Sequence, residues 1–343
     1  MASSPLNPAQ LFAERFSRCL DGRSTMPFAA FMDLALYDPE IGYYRSDVMR
    51  VGRNPESDFY TAETHREVFS TLVAAGAVSR LNNRDPHTFT FVEIGAEPGA
   101  GILTEALSNF GASESIRVGD ALRMPDRTIG FSNELFDAQP FHRVVRRGDQ
   151  WIERGVTLDG HTPVWTDLDH LSPPVDAIRR TLPDGAPDGY TIDLPIAARE
   201  LMRRIVSPNW QGVLIAIDYG KGWPTLCEEW PEGTGRAYRH HRQHNELLAN
   251  PGRQDLTCHI CWDWLIGELA DAGFEDIRVD SQESFFMKNA TGVIEEIISN
   301  PAGAPDKRLS QLKSLLHPGI MGQKFQVLSA NRLDSPSTPG KLQ

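Results

Sequence analysis

Phe91-Val92-Glu93-Ile94-Gly95-Ala96-Glu97-Pro98-Gly99-Ala100-Gly101-Ile102-Leu103-Thr104-Glu105-Ala106-Leu107 is the stretch on which the reading of this chain turns. Phe89-Thr90-Phe91-Val92 combines aromatic and β-branched side chains that suit a buried strand. Glu93 ends that run, glycines follow at Gly95, Gly99 and Gly101, and Ile102 to Leu107 shows helical apolar spacing. Strand, acid, glycine turn and helix, in that order, open the ligand crevice of a doubly wound α/β sheet. The glycines let backbone approach a ligand, and the helix N-terminus offers free N–H groups to an anion.

The same residues narrow the ligand. A dinucleotide loop has the form G-x-G-x-x-G, but counting on from Gly99 and Gly101 the third place is Thr104. No G-x-x-x-x-G-K-[ST] occurs, which excludes a nucleoside-triphosphate loop of that kind. An acid directly before the glycines suits a ligand that carries a cation. S-adenosylmethionine fits, with its ammonium and sulfonium facing carboxylates and its carboxylate facing the helix end. On the loop alone, a structural turn with no ligand stays open.

The chain has 343 residues, enough for one large domain or two smaller ones. A hydrophobic content of 40% supplies a core, and 23% charged residues are ordinary for a soluble protein. The net charge of −12 argues against binding nucleic acid through phosphates and suits a cationic partner. Four cysteines, Cys19, Cys227, Cys258 and Cys261, point to a reducing compartment without a disulfide framework. No apolar run approaches membrane-spanning length, so no membrane partner is expected. The N-terminus lacks a secretory apolar stretch and carries Glu14 and Asp21 early, from which a cytoplasmic location is expected.

Apolar spacing predicts helices over Pro8–Leu20, about Pro27–Leu36 (with Thr25 as cap), near Glu67–Leu81, and over Ile196–Val206 and Ile260–Ala272. Between the second and third lie Tyr37-Asp38-Pro39-Glu40-Ile41-Gly42-Tyr43-Tyr44 and then Asp58-Phe59-Tyr60-Thr61-Ala62-Glu63. Further on, Ser132-Asn133-Glu134-Leu135-Phe136-Asp137-Ala138-Gln139-Pro140 closes a predicted strand. Gly212–Ile217 predicts another, ending in Asp218-Tyr219-Gly220. Pro251-Gly252-Arg253-Gln254-Asp255-Leu256-Thr257-Cys258-His259 follows a basic stretch from Gly235. These blocks together resemble the MidA-like family of class I S-adenosylmethionine-dependent methyltransferases, along most of the chain. Mitochondrial members of that family act as protein arginine methyltransferases in respiratory complex I assembly.

The resemblance implies an α/β, Rossmann-like class I methyltransferase fold with a helical N-terminal segment and a β-rich insertion. The expected division is residues 1–87 as the segment closing over the cofactor, 88–333 as the core, and 334–343 as a disordered tail. The turns Gly148-Asp149 and Asp159-Gly160 predict an antiparallel meander at about 141–170, with Arg143, Arg146 and Arg147 on a solvated face. S-adenosylmethionine would be held by Thr61, Glu63, Glu93, Gly95, Gly99, Gly101, Asp120 and Asn133, and the acceptor handled by Glu134, Asp137 and His259. The acceptor implied is a protein arginine. Asn133 with Glu134 and Asp137 also fits plain helix capping, and His259 beside Asp255 fits either a base with its orienter or a structural pair.

This sequence departs from the family's pattern in places. The proline expected between Ala62 and Glu63 is missing, and Glu97-Pro98 interrupts the glycine loop. Leu107 to Ile116 is too short for a full strand and helix, so the acid that holds the cofactor ribose is expected to be absent or supplied from elsewhere. Asp120 faces the adenine or is a turn residue. His240, His244, Cys258 and Cys261 offer zinc-type ligands in the reverse of the usual order, and no metal is expected. An assembly protein with a degenerate site and a small-molecule methyltransferase are the alternatives.

Overall fold

The computed structural model describes residues 7–45, 65–96, 106–240, 242–300 and 307–334. Thr61, Glu63, Gly99 and Gly101, with Glu97 and Pro98, lie outside them, as do the expected helix start after the glycine loop and nearly all of the expected tail.

The chain divides into two compact units, one of Met1–Tyr60, Phe136–Leu201 and Gly220–Trp264, the other of Thr61–Leu135, Met202–Tyr219 and Leu265–Gln343. The grouping cuts across the boundary expected at residues 87 and 88, because the N-terminal helices share a unit with the meander and with 220–264.

The second unit is built on a six-stranded sheet. Its spatial order is Glu275–Ser281, Gln326–Arg332, Gln211–Asp218, Arg127–Asn133, Thr90–Ile94, Ala112–Ile116. Thr90–Ile94 runs parallel to both of its neighbours, and Arg127–Asn133 runs parallel to Gln211–Asp218. Gln326–Arg332 is antiparallel to the strands on each side of it. Central strands covered on both faces read as continuous apolar runs. Gln211–Asp218 is buried from Gly212 onward, and Thr90–Ile94 from Phe91 onward. Phe69, Leu72 and Val73 of the Arg66–Arg80 helix pack with Phe91, Phe131, Ile215, Phe285 and Leu315 in one core.

Ala112–Ile116 forms a five-residue strand within the region expected to be too short for a full strand and helix. It pairs residue for residue with Thr90–Ile94, from Thr90 with Ala112 to Ile94 with Ile116. Four of its five residues are exposed, as an edge strand's are, so its apolar signal is weak. Helices Gln282–Asn289 and Lys307–Leu316 were not expected. Arg332, at the end of its strand, donates to the carbonyls of Trp210, Val206, Ala272 and Pro208, at 2.8, 3.3, 2.7 and 2.6 Å. Its guanidinium also lies 4.6 Å from the Phe274 ring centroid.

The first unit carries the expected meander. His142–Arg147, Gln150–Asp159 and Thr162–Asp167 pair antiparallel in succession, with Thr191–Leu194 on the free side of the first. Gly148 and Gly160 take φ of +54° and +61° at the two turns. The Pro8–Leu20 helix buries Phe12 and Phe16 in a core with Phe28, Phe31, Phe141 and Leu256. The next helix is Phe28–Tyr37, with Pro27 rather than Thr25 at its cap.

The solvated face expected for the meander arginines is corrected for two of them. Arg143 forms a two-pronged pair with Asp193, at 2.7 and 2.9 Å, and the Asp193 side chain is fully buried. Arg146 is 8% exposed and donates to the Asp184 carbonyl. Only Arg147 is exposed as expected. Arg143 and Asp193 face each other in register across neighbouring strands, so the pair follows from strand pairing.

Candidate functional site

In the second unit, the carboxyl ends of the parallel strands carry the candidate cofactor residues, where ligands bind in such sheets. Glu93 is buried at 6% exposure, one residue before the end of its strand. Gly95 follows with φ +83°, a conformation that glycine adopts without steric cost. A Cβ there would stand 2.7 Å from Leu135 Cδ1. The N–H groups of Gly95 and Ala96 both reach the Ile116 carbonyl, which ties the glycine turn to the edge strand.

On the neighbouring strand, Asn133 is the last residue, and its side-chain nitrogen donates to Glu134 Oε1 at 3.2 Å. Asn133 Oδ1 is buried without a hydrogen-bond partner. Glu134 takes φ +49°, left-handed and costly for a non-glycine residue, and its N–H donates to the Ile217 carbonyl at 2.8 Å. Asp120 follows the edge strand and is exposed. It accepts from the Arg117 N–H at 2.8 Å while donating its own N–H to the Arg117 carbonyl, a closed turn. Asp218 likewise accepts from the Tyr219 N–H at 2.8 Å.

The division of the chain falls between Leu135 and Phe136, placing Glu134 in one unit and Asp137 in the other. In the first unit Asp137 is 3% exposed. Asp255, also 3% exposed, accepts from the Tyr44 hydroxyl at 2.8 Å. His259 lies edge-on to Trp230 at 5.1 Å, and its backbone N–H donates to Thr234 Oγ1 at 3.2 Å. Burial pushes its pKa down to about 4, and Lys221 and Arg236 add to the effect, so the imidazole is neutral near pH 7. Among the described residues no group of three or more His, Cys, Asp or Glu side chains forms a metal-type cluster.

Sequence reasoning quoted Tyr37 and Tyr44 without giving them a role. Their rings stack at 5.4 Å and 17° beside Asp255. The signal available was the pair of tyrosines after a Tyr-Asp-Pro turn. Gly42 belongs to that turn for a steric reason, since a Cβ would meet the Asp38 backbone nitrogen at 2.5 Å.

The second-unit residues fit a cationic, hydroxyl-bearing cofactor. Glu93 supplies a buried carboxylate, Asn133 Oδ1 an open acceptor for an ammonium, and Asp120 an exposed carboxylate beyond the second parallel strand.

A family model described as "Putative S-adenosyl-L-methionine-dependent methyltransferase" matches residues 112–277. Two curated proteins, each named Protein arginine methyltransferase NDUFAF7, mitochondrial, come from Xenopus tropicalis and Xenopus laevis. Both are 24% identical over 90% of this chain, covering 83% and 82% of their own lengths. A crystal structure of a COG1565 superfamily member from Burkholderia thailandensis, with S-adenosyl-homocysteine bound, superposes with a TM-score of 0.83. It is 23% identical and covers 97% of this chain and 96% of its own. A native structure of a COG1565 superfamily protein from the same organism gives 0.79 at 22% identity, over the same shares of the two chains. These likenesses bear out the class I fold.

The frog relatives are mitochondrial proteins, which overturns the cytoplasmic expectation. That expectation rested on the lack of a secretory apolar stretch and on two early acids, and neither fixes a compartment. Among the described residues no helix is long and apolar enough to cross a membrane. The family model over residues 112–277, the relatives along nine-tenths of the chain and the shared fold agree: the chain is similar to the MidA-like proteins and is an S-adenosylmethionine-dependent methyltransferase.

Proposed function

We propose that the methyl acceptor is the guanidinium of an arginine on a protein partner, met by the carboxylate of Asp137. The observation that carries this reading is Asp137, a carboxylate 3% exposed in the motif that follows the Arg127–Asn133 strand. A guanidinium offers a carboxylate a cation and paired N–H donors in one planar group. The names of the two frog relatives and the net charge of −12 support the same class of acceptor.

When bound, S-adenosylmethionine supplies a methyl on sulfonium; as the acceptor nitrogen bonds that carbon, the C–S electron pair returns to sulfur and the nitrogen sheds a proton. This chain's residues align and screen. Asn133 Oδ1 and Glu93 would hold the cofactor's ammonium, and Asp120 would meet its hydroxyls. Asp137 orients the planar acceptor and stabilises the positive charge on it as the proton leaves. His259, neutral near pH 7, can take that proton.

Asp137→Asn tests the assignment. With tritiated S-adenosylmethionine and a synthetic Arg-Gly repeat peptide, transfer is expected to fall about 100-fold, the scale of losing one electrostatic group. Cofactor affinity measured by calorimetry is expected to stay within about twofold, since only the acceptor contact is removed. Full activity in that variant would sink the acceptor role.

A further inference from the structure

Three stretches far apart in the chain close on one another within the first unit. They are Tyr37 to Tyr44, Asp137 to Gln139, and Asp255 to Cys258. The Tyr37 hydroxyl donates to the Ala138 carbonyl at 2.9 Å. The Cys258 N–H donates to the Asp137 carbonyl at 3.0 Å. The two successive carbonyls at and after Asp137 are therefore each held by a different stretch of chain. Tyr37 also hydrogen-bonds the Gln139 side chain.

Tyr37 is itself held from several directions. Its ring stacks on Tyr44, whose hydroxyl is spent on Asp255 Oδ1 at 2.8 Å. The turn joining the two tyrosines is fixed by Asp38 Oδ1, which accepts from the N–H groups of Glu40 and Ile41 at 2.8 and 3.0 Å. Arg15 reaches across to Asp38 and Glu40 at 3.5 and 2.6 Å. Gly252, at φ +78°, brings the stretch before Asp255 against the Ile41 carbonyl, which a Cβ there would meet at 2.4 Å.

We infer that Tyr37 is a positioning residue for methyl transfer: its hydroxyl fixes the backbone that carries Asp137, and the Tyr44–Asp255 bond fixes Tyr37 in turn. This role rests on the reading of Asp137 as a carboxylate that meets the acceptor. With the Ala138 carbonyl released, the chain one residue beyond Asp137 can shift and carry the carboxylate away from its working direction. A misplacement of about 1 Å costs on the order of 100-fold in rate when alignment is the main contribution. Burial pushes the pKa of both tyrosine hydroxyls well above the ordinary value, with Asp255 adding to it. Both therefore keep their protons through the neutral range and remain donors.

The test is a double-mutant cycle of Tyr37→Phe and Asp137→Asn in the full chain. It is read as kcat/KM for the Arg-Gly repeat peptide, alongside calorimetric cofactor affinity and melting temperature. Tyr37→Phe alone is expected to lower kcat/KM by about 10- to 100-fold with cofactor affinity unchanged. In the Asp137→Asn background it is expected to add nothing further, because the group it positions is already gone. Tyr44→Phe is expected to act in the same direction with a smaller loss. An equal loss from Tyr37→Phe in both backgrounds overturns the positioning role while leaving Asp137 as the acceptor group. Full transfer by Asp137→Asn, or no transfer to the peptide by the unmodified chain, overturns the acceptor reading and the positioning role with it.

Discussion

Removing the carboxylate from the Arg143–Asp193 pair should be among the most damaging single changes in the first unit. The Asp193 side chain is fully buried and that of Arg143 is 14% exposed, so solvent offers little compensation. Asp193 Oδ2 also accepts from the Gly235 N–H at 2.6 Å. Burial disfavours the Arg143 charge, but Asp193 more than offsets it and holds the guanidinium's pKa above its ordinary value. Breaking a buried pair from one side costs about 3–5 kcal/mol, because the remaining charge is stranded. An orphaned buried N–H adds about 1–3 kcal/mol. Asp193→Ala suffers both losses and is expected to cost about 4–8 kcal/mol, a large share of the roughly 5–15 kcal/mol that holds a typical domain together. Asp193→Asn keeps an acceptor for Gly235 and is expected to cost about 3 kcal/mol. Adding Arg143→Met to Asp193→Asn should recover part of that loss, since no charge is then left buried. The assay is urea unfolding followed by tryptophan fluorescence, with Trp165 near Arg143 as a local reporter, and by far-ultraviolet circular dichroism. The two transitions are fitted separately because two units need not unfold together. Costs below about 1 kcal/mol for both single changes, the scale of an exposed ion pair, would refute the reasoning.

Gly95→Val forces a β-branched side chain to φ +83° and into the space of Leu135, so S-adenosylmethionine binding by calorimetry is expected to vanish while the protein still folds; unchanged affinity would remove Gly95 from the site. His259, with its pKa pushed down to about 4, is expected to show no proton uptake by NMR between pH 9 and pH 5, and an imidazole titrating near 6.5 would contradict its burial. Its folded value lies below its unfolded value of about 6.5, so its stabilising contribution is complete above that pH and is lost as pH falls towards about 4. Acid unfolding monitored by circular dichroism should begin earlier in wild type than in His259→Gln.

Much of the sheet was legible because its inner strands are apolar without interruption. Gly212–Ile217 falls inside the observed Gln211–Asp218, and the helix over Ile196–Val206 carries the bounds its spacing predicts. Ala112–Ile116 was not legible, since an edge strand of alanine, serines and a glutamate satisfies no apolar pattern and is held only by its neighbour's backbone. Gln282–Asn289 was missed for a related reason: Phe285 and Phe286 are both buried, and adjacent apolar residues do not mark one helical face. The site was legible in its residue types and not in their partners. Nothing in a sequence says that Arg143 will face Asp193, because that depends on register between strands some fifty positions apart. The bond from Tyr37 to the Ala138 carbonyl spans 101 positions and ends on backbone, which carries no side-chain signature. The left-handed backbone of Glu134 is equally silent, since glutamate is not a residue that announces such a turn.

Gln326–Arg332 lies between Gln211–Asp218 and Glu275–Ser281, inside the sheet rather than at its rim. Spatial order thus departs from the order of synthesis. A nascent chain that has released everything up to Ser281 holds two strand edges with an empty lane between them. Neither edge can be satisfied by the other, and each is open to pairing with a foreign strand. The lane is filled only when the late strand arrives, and Arg332 then gathers four carbonyls from segments made more than a hundred and about sixty residues earlier. Closure of this sheet is therefore a late event that waits on distant contacts, the kind that slows folding. Until that strand docks, chaperone capture of the two open edges would protect the chain, and a ribosome stalled before Gln326 would leave a product whose core is built and whose sheet is not.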